Sequence, residues 1–361
     1  MTRAEPHYTV TVVPGDGIGP EVTEAARQVL EATGVSIEWD VQTAGAAALE
    51  REGTPLPERV IESMRRNGVA LKGPLAASTD SEYGSPSIAI REALGLHTTI
   101  RPCRALDGIR TPHPGLDLVI VKMNHEDLYA GIGFAQGSPS TAALGELILN
   151  SAGRRLAEDA GASIKPLSGS AARRVASEAF EYARAHGRPR VTVVHKAPLM
   201  PETDGLFLES AREVAKAYAD VTLDDELVDT LCERLVRGPA AYDVLVMPRM
   251  YGDLISGVGA ALIGGLGMAP GVNIGGGCAV FEATHGSAPR LAGRGRANPI
   301  ALILSGALLL RHLGEPKAAD RLEAAVATVV REGRTVTYDL EPAGPPASTA
   351  NVAEAVIGAL T

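Results

Sequence analysis

The sequence predicts an α/β fold, and three observations point to this class. Short apolar runs alternate with amphipathic segments along much of the chain, as expected where strands alternate with covering helices. Hydrophobic residues make up 45% of the 361 residues and aromatic residues only 4%, so a substantial core must consist mainly of Ala, Val, Leu and Ile. The 40 glycines and 24 prolines supply the turns between elements.

The first part of the chain shows this alternation most clearly. Residues 8–13 predict a buried strand, and Pro20 and Glu21 suit the first turn of a helix over about 20–33. The following segments predict, in order, a strand over 36–42, a helix over 56–67 and a short strand over 69–72.

The rest of the chain continues the pattern. We expect a short helix flanked by Arg91 and Arg101, strands over 117–122, 191–194 and 244–247, a strand or arm over 132–138, and helices over 171–186, 206–218 and 227–237. Residues 264–286 are rich in glycine, and a helix-rich part follows. No repeat or flexible linker is visible, so any two domains must share crossing segments.

The composition excludes several classes of protein. With 43 acidic and 34 basic residues the net charge is −9, which argues against general nucleic-acid binding. Cys103, Cys232 and Cys278 form no CxxC pair, which excludes a disulfide framework and a zinc knuckle and fits a reducing compartment. No secretory signal is visible, and the longest apolar stretch, 299–310, is too short to span a bilayer. We therefore expect a cytoplasmic protein that binds neither nucleic acid nor membranes.

Three basic residues lie near the ends of predicted helices or strands and are candidates for binding a carboxylate. Arg91 and Arg101 flank the short helix, and Lys122 ends an apolar strand, where a buried charge needs a partner. Solvation at the surface is the alternative, and for any single arginine it is the more common one.

Two aspartates are candidates for binding Mg²⁺ or Mn²⁺, which prefer oxygen ligands. Asp253 follows a strand end in Tyr251-Gly252-Asp253, and Asp229 lies between the apolar residues Val228 and Leu231. The acidic run 224–226 is better explained as the solvated start of a helix.

Two further motifs have ordinary explanations when taken alone. Gly15, Gly17 and Gly19 form a GxGxG pattern, which is neither the GxGxxG dinucleotide-binding motif nor a phosphate loop ending in Gly-Lys-Ser/Thr. Taken alone, the pattern predicts a tight strand-to-helix turn. The stretch 281–290 contains His285, and a lone loop histidine is usually solvent-exposed or capping.

Taken together, these motifs resemble the β-decarboxylating dehydrogenases, that is, the isocitrate, 3-isopropylmalate and homoisocitrate dehydrogenases. The matches occur in family order over nearly the whole chain: Gly15-Asp16-Gly17-Ile18-Gly19-Pro20-Glu21, Lys72-Gly73-Pro74, Ile100-Arg101-Pro102, Glu126-Asp127-Leu128-Tyr129-Ala130-Gly131-Ile132, Tyr251-Gly252-Asp253, His285-Gly286-Ser287-Ala288-Pro289 and Ala297-Asn298-Pro299.

This resemblance implies a two-domain α/β fold without a Rossmann motif, with the active site in the cleft between the domains. Residues 1–96 and 254–361 would form the large cofactor-binding domain, and residues 97–253 a small dimerisation domain with an arm near 131–150. The resemblance also implies a homodimer with shared active sites, Mg²⁺ or Mn²⁺, and a nicotinamide cofactor.

The resemblance assigns roles to individual residues of this chain. Tyr129 would be the acid that protonates carbon, and Lys196 the base, reaching in from the partner subunit. Asp253 would bind the metal together with Asp229 from the partner. The substrate-binding group would comprise Lys72, Ser85, Ser87, Arg91, Arg101, Lys122 and Arg249, and the cofactor-binding group Glu282, His285, Gly286, Ser287, Ala288, Arg290 and Asn298.

Four positions depart from the family pattern. Gly257 replaces a second metal-binding aspartate, Lys122 replaces an arginine and cannot form its bidentate fork, and Arg249 places a cation near the metal. Arg290 stands where NAD-dependent members carry aspartate, and an arginine there attracts a 2′-phosphate. We therefore expect NADP rather than NAD, with Arg294 and Arg296 as helpers.

The segment before Arg91 bears on the substrate, because Ser85 and Ser87 resemble the polar Ser-x-Asn pattern of isocitrate dehydrogenases. Together with Lys72 they favour a 3-substituted malate whose C3 substituent is anionic, such as isocitrate. The departures at Lys122, Arg249 and Gly257 also suit an isocitrate analogue, such as a phosphonate in specialised metabolism. The alternatives are 3-isopropylmalate or homoisocitrate. An alternative of another class is a non-catalytic regulatory subunit, which Gly257 supports and the retention of Tyr129 and Lys196 opposes.

Overall fold

The computed structural model describes residues 7–76 and 84–360. Its strands, in chain order, are β1 (His7–Val13), β2 (Ser36–Val41), β3 (Val69–Lys72), β4 (Thr98–Arg104), β5 (Asp117–Met123), β6 (Gly133–Phe134), β7 (Ala162–Ser163), β8 (Arg190–His195), β9 (Thr222–Leu227), β10 (Val244–Met247), β11 (Val272–Gly275) and β12 (Cys278–Glu282).

Helices cover these strands. In chain order they are α1 (Gly19–Ala32), α2 (Ala46–Glu52), α3 (Glu58–Asn67), α4 (Pro86–Ala93), α5 (Pro139–Ala152), α6 (Gly169–Ala185), α7 (Leu206–Ala215), α8 (Val228–Arg237), α9 (Arg249–Leu262), α10 (Ile300–His312), α11 (Pro316–Glu332) and α12 (Thr349–Gly358). None of the described helices is long and apolar enough to cross a membrane.

Ten strands form one sheet in the order β2-β1-β3-β12-β11-β4-β5-β10-β8-β9, while β6 and β7 pair separately around α5. Both ends of the large sheet are parallel. In the middle, β4 is antiparallel to both β11 and β5. Because β11 is also antiparallel to β12, the two parallel halves run in opposite directions and join through β11 and β4.

The predicted α/β class is confirmed, and the sequence explains its main elements. In α6, for example, Ser168 caps the first turn by accepting a hydrogen bond from the backbone N–H of Ala171. The buried residues Ala172, Val175, Ala176 and Ala179 then follow at helical spacing and pack on the sheet. One continuous aliphatic core serves both halves of the sheet, as the low aromatic content predicts.

Two local predictions are wrong. The acidic run 224–226 belongs to edge strand β9 rather than to a helix start, and it tolerates its charges because Asp224 pairs with Arg190 and Glu226 with Arg234. Arg91 lies inside α4 and Arg101 in β4, so the two arginines do not flank a short helix. Asp253 follows the end of β10, as predicted, and lies inside α9.

The glycine-rich stretch also contains two strands that its composition conceals. Residues 275–277 turn the β11–β12 hairpin, and Gly276 and Gly277 have positive φ angles. The proposed domain division near residues 97 and 253 remains a prediction; the first position immediately precedes β4 and the second lies within α9.

Candidate active site

The central strands place polar side chains on one face of the sheet, because residues two apart on a strand share a face. Lys72 aligns with Glu282 across β3 and β12, and Lys122 aligns with Thr99 across β5 and β4. Thr99 in turn aligns with Asn273 on β11. Lys72, Lys122 and Glu282 therefore lie on the same face of the sheet as the polar residues Thr99 and Asn273.

Glu282 is the centre of the first group of charges. It is buried and lies 2.6 Å from both Lys72 and Arg91, measured between carboxylate oxygens and side-chain nitrogens. Asn273 also donates to it at 2.8 Å. Burial opposes ionisation of Glu282, but the charges of Lys72 and Arg91 hold its pKa well below the ordinary value. Glu282 therefore lies with the predicted substrate-binding cations, at the end of β12 that leads to the predicted cofactor loop.

Asp253 is the centre of the second group. Its Oδ1 lies 3.1 Å from Lys122 Nζ and 3.4 Å from Arg101 Nη1. Burial alone would raise the pKa of Asp253, but Lys122 and Arg101 hold it below the ordinary value. Burial, reinforced by the charge of Arg101, lowers the pKa of Lys122 to about 7. The carboxylate is thus ionised and already neutralised by protein cations.

A chain of amides joins the two groups. Lys122 donates to Asn124 Oδ1 at 3.2 Å, and Asn124 donates to Asn273 Oδ1 at 3.3 Å. Asn273 then reaches Glu282. The sequence analysis missed Asn124, Asn273 and the central position of Glu282; the alternation in Lys122-Met123-Asn124 was the available signal, since it puts both polar residues on one face.

Tyr129 lies beside these charges with 45% of its surface exposed. The guanidinium of buried Arg249 is 5.3 Å from the centre of its ring. Partial burial and the negative charge of Asp253 raise the pKa of Tyr129, so the phenol holds its proton at neutral pH. A protonated phenol next to a cation can act as a general acid, because the cation stabilises the phenolate left behind.

Lys196 and Asp229 form a separate pair. Lys196 follows β8, Asp229 lies in the first turn of α8, and their side chains meet at 2.5 Å. The hydrogen bond from Lys196 lowers the pKa of Asp229. The Asp229 side chain is 64% exposed, so it remains accessible to a second chain.

The residues present fit a divalent cation only as part of a larger ligand set. The described residues contain no cluster of three or more His, Cys, Asp or Glu side chains that could hold a metal. Asp253 and Asp229 supply hard carboxylate oxygens. Gly257 lies four residues after Asp253 on α9, and no atom lies within 4 Å of the position that a Cβ would take there. The structure therefore has space for a second carboxylate side chain at position 257.

The predicted cofactor loop contains an orphaned polar atom. His285 Nε2 is buried without a hydrogen-bond partner among the described residues, while Nδ1 is 3.0 Å from the carbonyl oxygen of Gly286. Burial lowers the pKa of His285, so the ring is neutral. A buried unpaired ring nitrogen fits a ligand that completes its hydrogen bonding.

The backbone around this loop is closely packed against the first glycine-rich turn. Ile18 donates its N–H to the carbonyl oxygen of Ser287 at 2.9 Å, and Gly17, at φ +61°, leaves no room for a Cβ against Ser287. Ala288 itself has a positive φ of 38°. The Gly15–Gly19 loop thus serves as a tight turn that supports the cofactor loop.

Two more predicted cofactor residues lie nearby in different surroundings. Asn298 is buried and donates to Asp339 at 3.0 Å, while Arg290 is exposed in the turn Pro289–Leu291. The guanidinium of Arg296 lies 5.1 Å from the centre of the Tyr338 ring.

In the predicted substrate-binding group, Ser85 immediately precedes α4, and Ser87 accepts a hydrogen bond from Lys72 at 3.5 Å.

The family model for isocitrate/isopropylmalate dehydrogenase matches residues 9–356. The chain therefore belongs to the isocitrate/isopropylmalate dehydrogenase family, whose members use a divalent metal and a nicotinamide cofactor.

The relatives of this chain include both isocitrate dehydrogenases and 3-isopropylmalate dehydrogenases. The chain is 40% identical over 333 residues to the mitochondrial NAD isocitrate dehydrogenase catalytic subunit 5 of Arabidopsis thaliana, covering 92% of this chain and 84% of the relative. It is also 40% identical over 329 residues to the chloroplastic 3-isopropylmalate dehydrogenase of Solanum tuberosum, covering 91% and 87%. A solved isocitrate dehydrogenase from Methylococcus capsulatus matches with a TM-score of 0.89 and 43% identity, covering 98% of this chain and 99% of that one.

Proposed function

We propose that the protein catalyses the metal-dependent oxidative decarboxylation of a 3-substituted (R)-malate whose C3 substituent is anionic. Isocitrate fits this description, and so does an isocitrate-like phosphonate. The products are a 2-oxo acid, CO₂ and a reduced nicotinamide cofactor. The observation that carries the proposal is the excess of positive charge in the site.

Five cationic side chains lie on this part of the molecule: Lys72, Arg91, Arg101, Lys122 and Arg249. Two carboxylates, Asp253 and Glu282, pair directly with all of them except Arg249. Two malate carboxylates balance only part of the remaining positive charge, which a bound divalent metal would increase, so a third anionic group on the substrate is favoured. An isopropyl group would leave a buried cation without its partner, which is unfavourable.

The roles follow from the chemistry of the side chains. Arg91 and Arg101 bind the malate carboxylates, and Lys196 removes the proton of the C2 hydroxyl. Asp253 and the partner's Asp229 would hold a divalent metal that polarises the C2 oxygen, and the loop of His285 would hold a nicotinamide cofactor that accepts the hydride. After CO₂ leaves, Tyr129 donates its proton to C3, and Arg249 stabilises the resulting phenolate.

Purified single chain with Mn²⁺ and a panel of 3-substituted malates tests this function. We expect CO₂ release with isocitrate or its phosphonate analogue, together with reduction of the cofactor. No CO₂ from any malate would contradict the proposal and favour the regulatory-subunit alternative that Gly257 suggests. Faster turnover of 3-isopropylmalate than of every anionic analogue would overturn the substrate assignment.

We further propose NADP as the preferred cofactor. The named relatives include NAD enzymes, so this preference rests on the chain's own residues. Arg290 is exposed at the end of the cofactor loop, and Arg296 lies over the ring of Tyr338. Their cationic groups suit a 2′-phosphate. Comparison of kcat/KM for NADP and NAD tests the preference, and equal or NAD-favouring values refute it.

The active form is proposed to be a homodimer with shared sites. Lys196 and Asp229 pair with each other rather than with Asp253, and Asp229 is open to solvent. Exposed Ile132, Leu147 and Ile164 lie on the β6–α5–β7 segment and offer apolar surface to a second copy. We propose a cytoplasmic location, as the sequence suggests.

Mixing two inactive variants tests the shared site. A hybrid dimer of Tyr129→Phe and Lys196→Met chains contains one site with both residues intact and one site with neither. We expect activity to reappear after unfolding and refolding the mixture. Activity that never exceeds that of the separate variants would contradict sharing.

A further inference from the structure

A buried ion-pair cluster in the middle of the chain has no role in substrate binding. Asp127 and Asp204 are fully buried, and both lie against the ammonium group of Lys165. Lys165 also lies 4.8 Å from the centre of the Tyr251 ring. Replacement of buried ion pairs by well-packed apolar residues is often neutral or stabilising, so stability alone does not explain a cluster of two carboxylates and one cation.

Each of the two carboxylates accepts a hydrogen bond from a segment that carries a predicted catalytic or metal-binding residue. Asp204 Oδ2 accepts from the backbone N–H of Lys196 at 2.7 Å and from the Tyr251 hydroxyl at 2.9 Å. Asp127 Oδ2 accepts from the N–H of Met250, at the start of the helix that carries Asp253, at 2.7 Å.

The turn that presents Tyr129 is strained and depends on the same cluster. Glu126 and Asp127 have φ angles of 60° and 63°, which non-glycine residues rarely adopt. The Glu126 carboxylate is held by the backbone N–H and the hydroxyl of Ser168, at 2.6 and 2.7 Å. Lys165 and Ser168 lie on one segment, between β7 and α6, so this segment fixes both strained residues.

We propose that Asp127, Lys165 and Asp204 are positioning residues that hold the Tyr129 turn, the Lys196 backbone and the start of α9 in a fixed relation. This inference rests on the function proposed above. Since Tyr129 and Lys196 of one chain are assigned to different sites of the dimer, the cluster also ties the two sites together mechanically. An error of about 1 Å in the position of an acid or base can cost about 100-fold in rate.

Lys165→Met tests the proposal, and Arg188→Met is its matched control. Arg188 also bridges two aspartates, Asp117 and Asp243, but these lie at the beginnings of β5 and β10, at the opposite ends of these strands from Lys122 and α9, and Arg188 contacts neither Asp127 nor Asp204. We expect both variants to lose thermal stability. We expect only Lys165→Met to lose kcat, by tenfold or more, with KM for the malate changed less than threefold because Arg91 and Arg101 are untouched.

A second variant covers the case in which Lys165→Met does not fold because it leaves two buried carboxylates without a cation. The double variant Lys165→Met/Asp204→Asn removes one charge of each sign, and we expect it to show the same loss of kcat. Crystal structures of the variant and of the control should show displacement of the turn at 126–129 and of Lys196 in the variant alone. This displacement is measurable even if the wild-type protein turns over no malate, which would refute the proposed function alone.

The proposal is overturned by a folded Lys165 variant that keeps wild-type kcat. It is equally overturned if both segments stay in place in the crystal, or if Arg188→Met loses kcat to the same extent.

Discussion

Lys122 Nζ lies 3.1 Å from Asp253 Oδ1, and the lysine side chain is fully buried. The carboxylate proposed to bind the metal is therefore held by a protein cation in the absence of substrate. An ammonium ion and a divalent cation compete for the same oxygens, so metal binding must displace or share this contact. This relationship makes the charge balance of the site directly testable.

Replacement of Lys122 by methionine should tighten metal binding and weaken substrate binding. Without the competing ammonium we expect the Kd for Mn²⁺ in the absence of substrate to fall about threefold or more, and KM for the malate to rise about tenfold. Titration calorimetry and steady-state kinetics measure the two effects. Lys317→Met, on the surface of α11, is the control, and an unchanged Kd in Lys122→Met would contradict the competition.

Gly257→Asp should restore a second metal-binding carboxylate. The position faces open space one turn after Asp253, so the side chain is accommodated. We expect the Kd for Mn²⁺ to fall about tenfold, since ligand charge sets the affinity of such sites. We also expect kcat/KM for the anionic substrate to fall, because the added charge repels it. Gly257→Asn supplies the same shape without the charge, and an equal gain in that variant would show that charge is not the cause.

Arg290→Asp should reverse the cofactor preference. The change removes a cation that suits a 2′-phosphate and adds an acceptor for a ribose hydroxyl. A charge-assisted contact of this kind corresponds to about tenfold in kcat/KM, so NADP use should fall and NAD use should rise. Arg334→Asp, which the cofactor argument does not involve, controls for net charge. A variant that keeps its NADP preference would exclude Arg290 as the determinant.

His97 should make the protein less stable in acid. Burial, with Arg174 and His125 nearby, lowers the pKa of His97 to about 4, against about 6.5 for an unfolded histidine. The folded ring stays neutral while the unfolded chain takes up a proton, so this contribution to stability is complete above pH ~6.5 and is lost as pH falls towards 4. His97→Gln should therefore flatten the decline of Tm over this range.

Replacement of His186 by glutamine provides the comparison, because it removes an exposed histidine rather than the buried His97. A His97→Gln protein whose Tm falls with acid as steeply as the wild type would contradict the assignment.

The sequence predicts the class of fold because alternation of apolar runs is a local signal. It misses β9 because three acidic residues hide an edge strand whose partners, such as Arg190, come from elsewhere in the chain. It misses β11 and β12 because glycines dilute their apolar pattern. Asp253 and Lys196 could be proposed as site residues from the sequence, because their residue types and the motifs around them are local features.

Residues that act through tertiary contacts cannot be named in the same way. Nothing in the local sequence indicates that Lys165 meets Asp127 and Asp204, or that Glu282 pairs with Lys72 and Arg91. These contacts join segments that are distant in the chain, and only the folded sheet brings them together.

The ratio of kcat/KM for isocitrate to that for 3-isopropylmalate, measured with Mn²⁺ and saturating cofactor, tests the central claim most directly. The surplus of buried cations predicts a ratio of about ten or more, because a neutral substituent leaves one cation unpaired. A ratio of one or less would show that the positive charge of this site does not select the C3 substituent.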